Sequence, residues 1–186
     1  MNKTSQFISY IALLRGINVG GHKKVPMVDL KKVFEDMGYT NVKTILNTGN
    51  VLFETENEVS TKMIEAVLEK TFGFPIPTII LAQNTISNII ASDPFKGINV
   101  TPQIRLYVTF LSEKPTSSLS IPYVSSDKSF TILKVTNEAI FSVLDLSKSG
   151  TIDAMKKLEK EFGSPRGEAG NKITTRNWNT VKRYLV

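Results

Sequence analysis

Residues 15–24, Arg-Gly-Ile-Asn-Val-Gly-Gly-His-Lys-Lys, gather the groups in this chain best suited to hold a phosphate. Glycines let backbone N–H groups converge, and a helix start beside them adds positive potential. Arg15, Lys23 and Lys24 supply charge, Asn18 and His22 supply polar groups, and Gly20 and Gly21 give access to the backbone. Gly16 and Gly21 have the G-x-x-x-x-G spacing of a P-loop. His22 stands where that motif requires Lys, and no Ser or Thr follows for magnesium. The segment therefore predicts anion or nucleic-acid contact rather than a nucleotide triphosphatase. The plainer reading is a glycine-rich connection with two solvated lysines. His22, the single histidine, can act as a general base or as a phosphate donor beside Lys23. No nucleophile or orienting group accompanies it in sequence, so a catalytic set is incomplete and enzymatic activity stays open.

Two further polar groups stand out. Arg176, Asn177, Trp178 and Asn179 combine a cation, a helix cap and an aromatic ring, the parts of a phosphate-plus-stacking site for nucleic acid. The economical alternative makes Trp178 a core anchor sharing a face with Val181 and Leu185, Asn177 a cap, and Arg176 exposed. Asn47, Thr48 and Asn50 offer amides and a hydroxyl at a hairpin and are most simply turn residues. The carboxylates form no pair of metal or glycosidase character: Glu54, Glu56 and Glu58 alternate after a strand, and Asp29, Glu35 and Asp36 suit the polar face of a helix. No metal and no cofactor is expected. The absence of cysteine excludes disulfides, thiol nucleophiles and zinc ribbons.

The elements that position these groups follow from periodicity. The first strand is 7–14, apolar and β-branched. Pro26 opens a helix with Leu30, Val33, Phe34 and Met37 on one face. Strands at 42–46 and 51–53 flank the hairpin Asn47-Thr48-Gly49-Asn50. Ser60 caps a second helix through Phe72, 76–82 is a strand, and Asn84 or Thr85 caps a short helix stopped by Asp93-Pro94. The order to Ala82 is β-α-β-β-α-β, the split βαβ or ferredoxin-like pattern. After a strand at 104–111 comes a serine-rich stretch, 112–129, long enough to hold a short helix or an insertion. Strands at 130–135 and 139–146, a helix at 152–162, a loop at 164–171, a strand at 172–175 and a helix capped by Asn177 complete the chain. The second half thus repeats the first in outline, with a weaker first crossover. The expected organisation is α+β, two tandem ferredoxin-like subdomains with antiparallel sheets, residues 1–95 and 96–186. In this plan we expect the β1–α1 and β2–β3 loops at opposite ends of the sheet, so that they need not form one site.

Composition narrows the partners. The 186 residues are 41% hydrophobic and 22% charged, which excludes a disordered chain, and no apolar run is long enough for a membrane span. The net charge of +6 is uneven: 1–24 and 169–186 each carry four bases and no acid, so the stretch between them is slightly acidic. If the ends meet, they make one electropositive patch. The polar start shows no signal-peptide architecture, so a cytoplasmic protein is expected. No strand carries the RNA-recognition signature of displayed aromatics.

Leu13-Leu14-Arg15-Gly16-Ile17-Asn18-Val19-Gly20-Gly21, Val25-Pro26-Met27, Thr48-Gly49-Asn50-Val51 and Thr175-Arg176-Asn177-Trp178-Asn179-Thr180-Val181 together resemble the bacterial domain-of-unknown-function family 1697. The resemblance runs from near the start to near the end of the chain. It implies two ferredoxin-like subdomains in tandem and no established activity, substrate or catalytic residue. The family often has Ser where Thr48 stands. The leading expectation is a cytoplasmic binding protein for a phosphate-bearing ligand, RNA or single-stranded DNA, contacted by Arg15, Asn18, Gly20, Gly21, His22, Lys23, Lys24, Arg176 and Asn177. The alternatives are a small-molecule enzyme or nucleotide-ligand protein using 15–24, with a phosphorylated small molecule as partner, and a structural or protein-interaction module. No membrane partner is expected.

Overall fold

Strand β1 (Ile8–Leu14) is buried without a break from Ile11 to Leu14, so both of its faces are covered. That explains its unbroken apolar sequence where an exposed strand would alternate. A computed structural model describes residues 6–148, 150–163 and 171–185. Within it the chain is a mixed α+β protein with antiparallel sheets of four and five strands and, among the described residues, five α-helices. It divides into two compact units, Met1–Ser87 with Tyr184–Val186, and Asn88–Arg183. The loop expected at 164–171 lies, apart from Asn171, outside the described residues. Among the described residues no helix is long and apolar enough to cross a membrane.

In the first unit β1 is followed by α1 (Met27–Asp36), β2 (Thr40–Ile45), β3 (Asn50–Thr55), α2 (Thr61–Phe72) and β4 (Thr78–Ala82). The strands lie in the order β2-β3-β1-β4, with Leu13 opposite Asn50 and Ala12 opposite Ile80. Pro26 is the N-cap of α1 and Ser60 that of α2, the Ser60 Oγ accepting from the Met63 N–H at 3.3 Å. One core joins Ala12, Leu14 and Phe53 of the sheet to Phe34 of α1 and Leu68 of α2. The aromatics Tyr10, Phe34, Tyr39 and Phe53 are clustered within it, the Tyr39 and Phe53 rings 4.5 Å apart.

Helix α3 (Gln83–Ala91) starts directly after β4, so neither Asn84 nor Thr85 caps it: both already lie in its first turn. In the second unit β5 (Ile104–Leu111), β6 (Tyr123–Val124), β7 (Phe130–Val135), β8 (Ala139–Asp145), α4 (Thr151–Phe162) and β9 (Ile173–Asn177) precede α5 (Trp178–Lys182). The sheet order is β6-β7-β8-β5-β9. The stretch 112–129 holds the short strand β6 and no helix. Leu111, Ile132, Ile140 and Leu144 meet Leu158 and Phe162 of α4 in the core. Trp178 anchors α5 through an edge contact with Phe95 at 5.3 Å, and Asn177 caps it.

The end of the chain departs from the sequence expectation. Tyr184 is fully buried and Leu185 is exposed, because α5 tightens into a 3₁₀ turn at Arg183–Leu185 and shifts the inward face by one residue. The Tyr184 hydroxyl donates to Asn50 Oδ1 at 2.9 Å in the interior of the first unit. Tyr184→Phe removes this buried hydrogen bond while keeping the ring. It is expected to lower stability by about 1–3 kcal/mol, read as a fall in the urea midpoint with an unchanged slope.

Candidate functional site

The segment between β1 and α1 is short of regular structure and rich in left-handed backbone. Gly16, Asn18, Gly20, Gly21 and Lys23 all have positive φ, between 51° and 77°. Leu46 (φ 57°) and Gly49 (φ 73°) repeat the pattern in the β2–β3 hairpin. For Leu46 and Lys23 this conformation is uphill and persists only where surrounding contacts impose it.

The contacts are supplied chiefly by Asn18. Its Oδ1 accepts from the Val25 N–H at 2.8 Å, and its Nδ2 donates to the carbonyls of Val25 at 2.9 Å and Asn47 at 3.0 Å. The Asn18 N–H donates to the Lys23 carbonyl at 3.1 Å, and His22 N–H to Val19 O at 3.3 Å. A side-chain amide carries a donor and an acceptor as a peptide group does, so Asn18 closes the loop as an extra rung. The β1–α1 and β2–β3 loops therefore meet, contrary to the expectation that they lie at opposite ends. The reason is topological: β1 and β3 are antiparallel neighbours, so the end of β1 adjoins the start of β3.

Gly49 makes the junction close. Its N-terminal neighbours turn so that a Cβ there would fall 2.8 Å from Leu14 Cβ and 2.8 Å from Ile17 Cδ1. The Gly49 carbonyl accepts from the Leu14 N–H at 2.8 Å. Only glycine meets both the backbone angle and the space. Asn50 is fully buried and its Nδ2 donates to the Ile45 carbonyl and to Thr48 Oγ1, each at 2.8 Å. Thr48 and Asn50 thus hold the turn together, as their residue types suggest, while Asn47 joins the loop.

Between the two loops and the start of α1 lies an open hollow of about 440 Å³. Asn18, Gly21, His22, Lys24 and Asn47 line it together with Val25, Pro26 and Met27. No carboxylate is in its wall. Helix α1 has no side-chain cap at its N-terminus, so the partial positive charge of its first N–H groups opens toward the same region. Asp29 lies in that first turn but outside the wall. Pro26 and Met27 were not legible as site residues; the signal for them was the helix start itself.

The remaining sequence candidates have other places. Gly20 is exposed at the loop tip. Lys23 lies with its ammonium 5.6 Å from the centre of the Phe74 ring, a cation–π contact. Arg15 is half-buried at the loop base, its N–H donating to the Pro77 carbonyl at 2.9 Å. Arg176 and Asn177 belong to the second unit. Arg176 is half-buried rather than exposed, with Nη1 donating to Thr174 Oγ1 at 2.8 Å and to the Thr175 carbonyl at 3.0 Å. Asn177 Oδ1 accepts from the Asn179 N–H at 2.9 Å, the capping bond of α5. Among the described residues no three His, Asp or Glu side chains gather as metal ligands would.

Residues 8–141 match the model of the family described as "Protein of unknown function (DUF1697)", and the chain belongs to that family. The structure is similar to that of the conserved bacterial protein SP0830 from Streptococcus pneumoniae, with 19% identity and a TM-score of 0.59 over 96% of this chain and 97% of that one. At that identity the likeness speaks for the fold. An unknown protein from Galdieria sulphuraria aligns over 92% of this chain and 96% of its own at 15% identity, with a TM-score of 0.21. No curated protein matches the chain.

Asn18→Gly isolates the role of the carboxamide, because glycine keeps the left-handed backbone without strain. The variant is expected to lose about 1–2 kcal/mol of stability and to expose the Val25 amide to faster hydrogen exchange. Unchanged protection of that amide would contradict the closing role given to Asn18.

Proposed function

We propose that the chain binds a phosphate-bearing ligand at the open hollow of the first unit, most simply a strand of RNA or single-stranded DNA. The observation that supports this reading is the make-up of the wall: Gly21, His22, Lys24 and Asn47 adjoin the uncapped start of α1, and no acid stands among them. Lys24 neutralises a phosphate as a point charge, His22 donates a hydrogen bond, and Gly20 and Gly21 offer backbone N–H groups. Arg15 and Lys23 extend the positive field. The left-handed backbone of Lys23 and Leu46, one in each of the two loops, is a second support, since strain of this kind concentrates where a ligand is held.

A polymer suits the hollow better than a small metabolite. Asn18, Gly21, His22, Lys24, Pro26 and Asn47 are all exposed, whereas a small-molecule pocket covers most of its ligand. Tyr10 and Phe53 are spent in the core, so neither provides a stacking platform for bases. Binding through phosphates alone is tolerant of sequence and sensitive to salt.

We infer the same ancestry of plan in both units: β2-β3-β1-β4 with crossovers α1 and α2 follows the split βαβ arrangement, and β7-β8-β5-β9 with α4 repeats the order. The second unit then lacks the first crossover helix, its place taken by 112–129. A cysteine-free chain with a basic, nucleic-acid-directed loop suits the cytoplasm.

The test is fluorescence anisotropy of labelled single-stranded RNA and DNA at low and near-physiological salt. Wild-type protein is expected to bind at low salt and weaken as salt rises. Lys24→Ala is expected to bind more weakly and to lower the slope of log K against log salt by about 0.7, one phosphate contact on a single strand. Absence of binding at low salt, or a Lys24→Ala variant with the wild-type slope, would overturn the proposal.

A further inference from the structure

The second unit carries a hollow of its own, about 500 Å³, between the connection that follows α3, the start of β5 and the first turn of α5. We infer that it binds a nucleoside monophosphate, a flat heteroaromatic body bearing one phosphate. The volume lies in the range of small-ligand pockets, roughly 300–1,000 Å³. Its apolar side is formed by Val100, Ile104 and Leu106, with Phe95 and Trp178 reaching it only by the small part of each ring that is not buried in their mutual edge contact. An apolar wall of this kind accepts the flat body of a ligand.

The charged side is supplied by Arg105 and Lys182. Arg105 Nη1 donates to the carbonyls of Pro102 at 2.7 Å and Ile104 at 3.1 Å, which fixes the plane of the guanidinium. Among the described residues neither Arg105 nor Lys182 forms an ion pair. Asp93, the one acid in the wall, pairs with neither of them. Two cations outside any ion pair, beside the side chains of Val100, Ile104 and Leu106, suit an anion with an apolar body. Asn177 Oδ1 is committed to capping, but the Asn179 carboxamide makes no hydrogen bond among the described residues. It offers a donor and an acceptor side by side, the pattern that reads the edge of a nucleobase. All these residues lie in the second unit, so the inference does not rest on the reading given for the first.

Trp178 is the single tryptophan of the chain, so tryptophan emission, excited at the red edge where the tyrosines do not absorb, reports on this hollow. The experiment titrates the full chain with adenosine and cytidine monophosphates, the matching nucleosides and inorganic phosphate, correcting for absorption by the bases. A saturable change is expected with at least one monophosphate, with the matching nucleoside and inorganic phosphate each weaker by about tenfold or more. Lys182→Gln, at an exposed position that leaves the core untouched, and Arg105→Gln are each expected to weaken it by about tenfold. No saturable change with either monophosphate would overturn the inference. So would a nucleoside or phosphate binding as tightly as the nucleotide, or a Lys182→Gln variant with wild-type affinity.

Discussion

The carboxamide of Asn18 is the interaction that ties the β1–α1 loop of the first unit to the β2–β3 hairpin. One side chain replaces a backbone rung toward Val25 and reaches across to the Asn47 carbonyl. It acts on a segment with five left-handed residues between Gly16 and Lys23, which the buried side chains of Ile17 and Val25 anchor in the core. Gly49 is its necessary counterpart. Because it has no side chain, Leu14 and Ile17 come close enough for the hairpin and the loop to share one wall. The hollow, its basic lining and the start of α1 follow from these two residues rather than from any regular element.

That arrangement separates charge from stacking. The unit's cluster of aromatic rings is sunk between sheet and helices, where Tyr10, Phe34, Tyr39 and Phe53 stabilise the core. The groups left at the surface near the loop are cations, amides and backbone N–H groups. In the function we propose, a site of this kind holds an anionic backbone and ignores what it carries. The second unit combines its groups differently, placing Val100, Ile104 and Leu106 beside Arg105 and Lys182 in one hollow. The two units share a strand order but not a surface chemistry, consistent with function residing in sites rather than in the fold.

Much of the fold was legible because its strands and helices obey their periods. The strands at 104–111 and 130–135 have the expected bounds, and Ser60 and Asn177 cap the helices they precede. The misses have local causes. Helix α3 follows β4 without a loop, so the capping residues expected at 84 or 85 had nothing to cap. The 3₁₀ turn at the end replaced Leu185 by Tyr184 in the interior. The site was legible as a list of residues and not as a place. Asn18 and Asn47 are 29 residues apart, and their contact follows only once β1 and β3 are seen to be antiparallel neighbours. Arg176 is half-buried, with Nη1 held by Thr174 and the Thr175 carbonyl, where the economical reading of the sequence leaves it exposed.

In the proposed function the loop between β1 and α1 and the β2–β3 hairpin form one anion-binding surface. Amide chemical shifts of isotope-labelled protein, followed during titration with a short single-stranded RNA, test it most directly. The perturbed amides are expected to cluster at Gly20, Gly21, Lys24, Met27 and Asn47. Perturbations that miss the loop and the hairpin, or that involve only one of them, would contradict it.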